Sequence, residues 1–281
     1  MNIFLTGCTS YIGRYLAISF INQGDYVIGT SRKNPNIKNK KFRFIKHDLS
    51  KSPILNLNKK IDFFIHVAGK RMSKGQKVKE YISSNIIVTY NVKKMIEKFK
   101  PKLTVYTSSR SIYGEIKTNV LKESTKVLNP GVYGQTKLLG EKILEEAGNT
   151  VSLRLSTVLG KGAPGWVFNT YKKLLLGKKI KMTNVKINNF IHVSDVFNII
   201  DNFFKKKSFF TDQFNVSCSK ISNSKKIVFL MKKLLNSKSK IIQLKKKENF
   251  YTISNKKLKK YFLTLSAEDT ICRFVKDFNK R

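Results

Sequence analysis

A tyrosine and a lysine four residues apart are the first candidates for chemistry in this chain. Tyr133 and Lys137 lie in the segment NPGVYGQTKLLGEK (129–142), where Asn129 and Pro130 suit the start of a helix. On a helix, side chains at this spacing lie one above the other on the same face. An ammonium beside a tyrosine favours its phenolate, so the pair could transfer protons. The same spacing also occurs by chance on ordinary helix surfaces.

A glycine turn near the N-terminus is the second candidate. The segment TGCTSYIGRYL follows a short apolar run, with Gly7 where a tight turn is needed and Gly13 where a helix packs closely. Between the first strand and first helix of a β–α–β unit, such a turn directs backbone N–H groups and the positive helix end at a diphosphate. The alternative is a tight strand-to-helix turn without a ligand.

The elements that would position these residues alternate along the first 155 residues. Apolar runs and helix-period segments follow each other, which is typical of a parallel sheet covered by helices. The predicted strands are 2–6, 26–30, 42–48, 62–68, 103–109 and 150–156, and the predicted helices are 11–22, 77–98 and 130–147. The fold class is therefore α/β, with a Rossmann-type doubly wound parallel sheet and a small, mostly helical C-terminal region.

Beyond this point the alternation weakens. We predict a helix over 168–177, a strand that turns into a helix over 188–204, and a short strand over 213–217. Residues 221–281 are predicted to be mostly helical, with a strand near 240–243. No repeat or low-complexity linker separates a second domain.

Composition is extreme in one respect, a formal net charge of +39. The lysines are spread along the whole chain without aromatic interleaving or a zinc-finger or helix-turn-helix pattern, so we expect no specific nucleic-acid partner. The three cysteines have no metal or disulfide spacing, and no apolar run is long enough to span a bilayer. We therefore expect a cytoplasmic protein without a metal site or a membrane partner.

The glycine turn resembles that of the NAD-dependent epimerase/dehydratase family, the extended short-chain dehydrogenases/reductases that mostly modify nucleotide-activated sugars. The family pattern is T-G-x-x-G-x-I-G, and Thr6, Gly7, Ile12 and Gly13 match it. Ser10 replaces the middle glycine, and its Cβ would crowd the closest approach to a pyrophosphate.

This resemblance implies a nicotinamide dinucleotide cofactor. An acidic residue about 20 residues beyond the glycines normally holds the ribose of NAD, whereas here the second strand ends in Ser31 and Arg32, which could hold a 2′-phosphate. We therefore expect NADP(H), with NAD(H) as the alternative. The cofactor-binding residues implied are Gly7, Thr9, Ser10, Tyr11, Ile12, Gly13, Ser31, Arg32, Asp48, Leu49, Val67, Ala68, Gly69, Asn85, Tyr133 and Lys137.

The resemblance also implies a catalytic set. The segment VYTSSRSIYG (105–114) resembles the serine-bearing segment of the family and points to Ser109, with Ser108 and Ser111 as near alternatives. Ser109 would position a substrate oxygen, Tyr133 would exchange its proton, and Lys137 would favour the phenolate. The substrate contacts implied are Ser109, Ser111, Thr157 and Arg71.

Three functions remain open. The preferred one is NADPH-dependent reduction of a 4-keto nucleotide sugar, and the alternative is an NAD-dependent nucleotide-sugar 4-epimerase. A remote alternative is a non-catalytic Rossmann protein that binds a dinucleotide or nucleic acid. Dehydration is disfavoured, because Arg110 and Ser111 stand where the 4,6-dehydratases of the family carry carboxylates.

The resemblance divides the chain by function. It assigns 1–157 to an NAD(P)-binding Rossmann domain to which 187–217 return, and 158–186 and 218–281 to a substrate-binding lobe. The partner expected is a nucleotide sugar, and a homodimer is usual in the family.

Overall fold

A computed structural model of the chain describes residues 1–73, 75–206, 208–244 and 251–279. The strands are β1 (Asn2–Thr6), β2 (Tyr26–Ser31), β3 (Phe42–Lys46), β4 (Phe63–His66), β5 (Leu103–Ser109), β6 (Val120–Leu121), β7 (Thr150–Leu155), β8 (Thr157–Leu159), β9 (Ile180–Thr183), β10 (Lys186–Ile187), β11 (Phe190–His192), β12 (Asp212–Val216), β13 (Ser222–Asn223), β14 (Ile241–Leu244) and β15 (Thr252–Ile253).

The helices are α1 (Tyr11–Asn22), α2 (Val78–Tyr81), α3 (Val88–Phe99), α4 (Val132–Glu145), α5 (Trp166–Leu175), α6 (Val193–Phe204), α7 (Ser224–Leu234) and α8 (Ala267–Asn279). A π-helical turn, Ile82–Ile87, joins α2 to α3, and 3₁₀ turns lie at Arg110–Tyr113 and Leu258–Lys260.

The main sheet has the strand order β12-β7-β5-β4-β1-β2-β3. Parallel registers join β3 to β2, β2 to β1, β1 to β4 and β4 to β5. The predicted Rossmann-type parallel sheet is confirmed. The chain order reverses between β1 and β4, and in open α/β sheets ligands bind beyond the carboxyl ends of the strands at such a point.

Both faces of the sheet are covered at its centre, which explains why β1 and β4 are apolar and buried along nearly their whole length. Phe63 and Phe64 are consecutive in β4 and therefore point to opposite faces. Phe64 stacks on Phe4 at a ring-centroid distance of 5.0 Å, in a core that the apolar side of α3 completes. Phe63 stacks at 4.1 Å on Phe204 of α6, and that ring also stacks on Phe20 of α1.

The chain divides into two compact units, which are Met1–Glu115 with Lys126–Arg154 and Ile200–Phe214, and Ile116–Thr125 with Leu155–Ile199 and Asn215–Arg281. The core of the second unit is built by apolar side chains of α5, α7 and α8, including Tyr171, Met231 and Phe274. The assignment of cofactor and substrate binding to separate parts of the chain stays a prediction.

Helix α4 begins at Val132, two residues later than the sequence predicts. Asn129 has a left-handed φ of 44°, which an N-cap residue does not adopt, and Gly131 takes the cap position with an extended backbone. The short strands β6, β8, β9, β10, β13 and β15 were also missed, because two to four residues are too few to show a period, whereas β11 and β14 lie where the sequence predicts strands. Along the described parts of the chain, no helix is long and apolar enough to cross a membrane.

His66, the last residue of β4, is fully buried between two hydroxyl groups. Thr6 Oγ accepts the backbone N–H groups of Val67 and Ala68, so its own proton goes to His66 Nδ1 at 2.8 Å. His66 Nε2 therefore carries the ring proton and donates it to Thr89 at 3.0 Å. The imidazole is held neutral, in one tautomer.

We expect this histidine to make the protein sensitive to acid. Burial, and then the charge of Lys137, lower the pKa of His66 from 6.5 to about 3. Between these values the unfolded chain binds a proton that the folded chain does not, so the free energy of unfolding falls as pH falls, by up to about 1.4 kcal/mol per pH unit.

Urea unfolding of wild type and His66→Gln measures this effect. The difference between their free energies of unfolding should be constant from about pH 7 to 8 and should shrink below about pH 6.5. Only the wild type has a neutral buried histidine at this position, so only the wild type loses stability as the unfolded histidine becomes protonated. A difference that stays constant down to about pH 4 would contradict the buried neutral imidazole.

Candidate active site

The glycine turn follows β1 and lies against the segment that follows β4. Gly7 has a φ of +71°, and a Cβ there would lie 2.8 Å from the backbone nitrogen of Ala68. A Cβ on Gly13 would collide with the carbonyl oxygen of Gly7. Both glycines are therefore required by the fold of the turn, and they keep the backbone bare at the point where a pyrophosphate would approach.

Ser10, which replaces the middle glycine, has an ordinary extended backbone with φ −69° and ψ 159°. Its side-chain oxygen accepts the N–H of Gly13 at 3.1 Å and caps α1. The serine therefore stabilises the helix whose N-terminus faces the ligand. The predicted residues Tyr11, Ile12 and Gly13 form the first turn of this helix.

A cavity of about 870 Å³ opens beyond the carboxyl ends of the strands, beside this turn. Its volume suits a dinucleotide. Predicted cofactor or substrate residues that line it are Gly7, Thr9, Ser10, Ser31, Arg32, Asp48, Leu49, Val67, Ala68, Gly69 and Arg71. The glycines, the open backbone and the position at the chain reversal all fit a nicotinamide dinucleotide.

Several lining residues were not predicted from the sequence. They are Lys33, His47, Ser50, Lys70, Ser73, Ser83 and Ser84. The first four directly neighbour predicted residues, so their position at strand ends could have identified them. Ser83 and Ser84 reach the cavity from the π-helical turn, which leaves no pattern in the sequence.

The polar groups at the end of β2 are already engaged by the protein. The hydroxyl of Ser31 donates to the carbonyl oxygen of Lys33 at 2.5 Å. The carboxylate of Asp48 accepts both the hydroxyl and the N–H of Ser50, at 2.7 and 3.0 Å. These hydrogen bonds and the nearby charge of Arg32 lower the pKa of Asp48, so the cavity holds an ionised acid beside that guanidinium.

The three predicted catalytic residues lie in the same unit as the cavity. Tyr133, in the first turn of α4, is hydrogen-bonded to the side chain of Ser109 at the end of β5. Burial raises the pKa of Tyr133, the bond to Ser109 opposes this shift, and the neighbouring Tyr81 adds to it. Lys137 is 6% exposed and follows one turn later, with Nζ 4.4 Å from the centroid of the Tyr106 ring.

Burial lowers the pKa of Lys137 to about 7, against the opposing charge of Glu141. The ammonium therefore sits in a site where its charge is costly and its proton is mobile near neutral pH. A lysine whose pKa lies near neutral can gain or lose its own proton when a neighbouring tyrosine loses or gains one.

The three candidate serines differ in their partners. Ser108 donates its hydroxyl to the carboxylate of Glu141 and is buried. Ser111 contributes its backbone N–H to the oxygen of Ser109 at 3.2 Å. Ser109 alone of the three is bonded to Tyr133, which supports its selection as the substrate-positioning hydroxyl.

Asn85 connects the cavity to the catalytic helix. Its amide clamps the peptide of Lys70, accepting the N–H at 2.6 Å and donating to the carbonyl oxygen at 3.2 Å. The same amide donates to Thr136 at 2.9 Å, and Thr136 donates to the carbonyl oxygen of Tyr133. Because Asn85 lies in the π-helical turn, the wider turn gives it this reach.

Two further predicted or notable residues belong to the second unit. Thr157 begins β8 and donates its backbone N–H to Asn189, and its role toward a substrate stays a prediction. His192 is buried and bonded to Ser194 and Asp277. Within the described residues, no cluster of three or more His, Cys, Asp and Glu side chains could hold a metal ion.

Comparison with known proteins agrees with this geometry. The model of the NAD dependent epimerase/dehydratase family matches residues 3–217. An uncharacterized protein of Methanocaldococcus jannaschii is 30% identical over 85% of this chain and 82% of its own, and an uncharacterized UDP-glucose epimerase of Bacillus subtilis is 27% identical over 85% and 84%. The chain belongs to the NAD dependent epimerase/dehydratase family.

Among solved structures, the chain is similar to a UDP-glucuronic acid 4-epimerase from Bacillus cereus in complex with NAD. The TM-score is 0.83 at 22% identity, over 100% of this chain and 99% of the other. At this identity the likeness shows the fold.

The prediction of NADP(H) is wrong, since the similar solved structures are complexes with NAD. The physical reason lies at the end of β2: the Ser31 hydroxyl is engaged with Lys33, and Arg32 lies near an ionised Asp48. An arginine next to a carboxylate is a poorer indicator of a 2′-phosphate than the sequence alone suggests.

Helix α4 approaches β5 and the turn after it closely enough to exclude side chains at two positions. A Cβ on Gly134 would collide with the carbonyl oxygen of Ser111, and one on Gly140 would collide with the hydroxyl of Tyr106. Gly131 has no atom within 4 Å of a built Cβ and a φ of −62°.

We therefore expect Gly134→Ala to destabilise the protein by about 1–3 kcal/mol, because the added methyl group forces α4 away from Ser111. Gly131→Ala, three residues earlier, is the matched control and should cost only a few tenths of a kcal/mol. Thermal unfolding of both variants measures the difference. Equal stability of the two would contradict the close packing.

Proposed function

We propose that this chain is an NAD-dependent 4-epimerase of a UDP-activated sugar. The observation that carries the proposal is that Ser109, at the end of β5, meets Tyr133 of α4 and lowers its pKa through a hydrogen bond, with the buried Lys137 one helical turn further on. A protein that only binds a dinucleotide has no need for this set. The names of two similar proteins, the uncharacterized UDP-glucose epimerase of Bacillus subtilis and the UDP-glucuronic acid 4-epimerase of Bacillus cereus, support the reaction and the UDP-sugar class.

Each residue of the set has a distinct task. The hydroxyl of Ser109 holds the 4-oxygen of the sugar, and Tyr133 removes its proton and later returns it. The ammonium of Lys137 stabilises the phenolate, which offsets the burial that raises the pKa of Tyr133. NAD, when bound, supplies the hydride acceptor and donor. Its phosphates would lie at the turn of Gly7 and at the N-terminus of α1.

Reduction of a keto sugar is the less supported reaction. That expectation rested on Ser31 and Arg32 as ligands of a 2′-phosphate, and this basis is lost with NADP(H). Epimerisation needs no net change of the cofactor, so the same NAD can stay bound from one turnover to the next, in a cavity whose Lys70 peptide is connected by Asn85 to Thr136 of α4. The net charge of +39 would draw a doubly charged nucleotide sugar to any part of the surface.

A homodimer through α3 and α4 is part of the proposal. Both helices carry an exposed apolar side chain, Tyr90 of α3 at 50% and Leu139 of α4 at 43%, and Ile87 of the π-helical turn before α3 is 41% exposed. Such side chains favour burial against a second copy. Sedimentation equilibrium measures the mass, and a monomer at micromolar concentration would contradict the dimer.

We expect Tyr133→Phe to lower kcat about 10²–10⁴-fold, because the proton acceptor is removed. Retention of NAD tests whether the cavity is intact, and Tyr26→Phe, at the start of β2 and outside the cavity lining, is the matched control with wild-type turnover. Conversion of UDP-glucose and UDP-glucuronic acid to their 4-epimers is followed by NMR.

Two results would contradict the proposal. Full turnover by Tyr133→Phe would exclude the proton-transfer role. Consumption of one equivalent of reduced cofactor per sugar would identify a reductase.

A further inference from the structure

Glu141 is a buried carboxylate with no place in the mechanism above. It lies on α4 two turns after Tyr133 and one turn after Lys137, and its residue is 1% exposed. A charge this deep is costly unless it is paired and hydrogen-bonded. Its partners are therefore informative.

Both carboxylate oxygens are bound. Arg154 of β7 donates Nε at 3.1 Å to Oε1 and a terminal guanidinium nitrogen at 2.8 Å to Oε2. Ser108 donates its hydroxyl to Oε1. The same guanidinium donates to the hydroxyl of Tyr113 at 2.9 Å. Glu141 thus joins α4 to β7, to the end of β5 and to the turn that follows β5.

The cluster of Glu141, Arg154, Ser108 and Tyr113 adjoins the proposed catalytic residues through both β5 and α4. Ser108 is bonded to Glu141 while its neighbour Ser109 is bonded to Tyr133, so β5 and α4 are connected at both residues. The connection sets the separation of the serine and tyrosine hydroxyls. A buried arginine holds it in one orientation, because a guanidinium binds a carboxylate as a fork.

The charges around Lys137 are few. Glu141 acts on it from one turn further along α4, the ring of Tyr106 faces it from β5, and its own charge acts on the neutral His66 of β4. Glu141 is the carboxylate of this group. It raises the pKa of Lys137 against the larger, opposite effect of burial.

We infer that Glu141 is a positioning residue for the proposed proton transfer: it fixes Ser109 against Tyr133 through Ser108 and Arg154, and it keeps the ammonium of Lys137 charged. The effect that we expect Glu141 to have on turnover rests on the proposed function. The electrostatic part of the inference is a property of the protein alone and can be measured without substrate.

The test uses Glu141→Gln in the full chain. NMR of ¹³C-labelled lysine side chains, with Lys137→Met to assign the signal, follows the titration of Lys137 with and without NAD. We expect the midpoint to move from about 7 to lower pH, by about one unit. Since Lys137 acts in its protonated form, kcat at about pH 8 should then fall about tenfold, with recovery toward about pH 5.5.

A merely structural role would lower kcat equally at every pH and would leave the midpoint unchanged. Glu145→Gln is the matched control, because this carboxylate lies one turn further along α4 and binds Lys142 and Gln213 instead. It should leave both the midpoint and the pH profile as in the wild type.

Glu141→Gln removes the carboxylate that neutralises the buried charge of Arg154 and can prevent folding. Glu141→Asp keeps the charge one methylene further away, and we expect a smaller shift in the same direction with partial recovery of kcat at about pH 8. A wild-type midpoint in whichever variant folds would overturn the inference. Absence of turnover in the wild-type chain would instead contradict the proposed function, while the titration still decides the role of Glu141.

Discussion

Helix α4 lies against the carboxyl end of β5 and the following turn with no room for a side chain between them. Gly134 and Gly140 are the two positions at which this contact excludes even a methyl group. Tyr133 and Lys137 lie on the same face of the helix, so the contact determines how far they stand from Ser109. A displacement of about 1 Å is enough to impair proton transfer. Because the glycines let the backbone of α4 contact β5 and the following turn directly, the helix is held against such a displacement.

Close packing of this kind requires that the polar groups inside it be satisfied. Glu141 and Arg154 neutralise each other in the interior, and Ser108 and Tyr113 complete their hydrogen bonds. On the opposite side of the sheet centre, Thr6, His66 and Thr89 form a second buried chain in which every donor has a definite acceptor. Both networks hold strand ends in place, and strand ends form the site.

The cofactor cavity and the catalytic helix are then connected by one amide. Asn85 reaches both the peptide of Lys70 and the hydroxyl of Thr136 because the helix is widened to a π turn around it. In a regular α-helix, the residues that follow the turn would be rotated about the helix axis relative to their present positions. Local irregularity in the helix is therefore part of how the site is assembled.

Much of the architecture was predictable from the sequence because it depends on local periods and turn chemistry. The apolar runs at β1, β2 and β5, the helix at α1 and the glycines at 7 and 13 all have short-range signals, and the sheet is as predicted. The Tyr133–Lys137 pair needs only helical spacing. Family membership follows from these same segments.

Tertiary structure decided the rest, because it concerns which groups meet across the chain. The choice among Ser108, Ser109 and Ser111 depends on their partners Glu141 and Tyr133, which lie 33 residues after Ser108 and 24 residues after Ser109. The cofactor was predicted wrongly from Ser31 and Arg32, since neither residue type reveals that the Ser31 hydroxyl is bonded to Lys33 or that the charge of Arg32 acts on an ionised Asp48. A sequence specifies which polar groups are present, but burial and packing determine which of them remain available to a ligand.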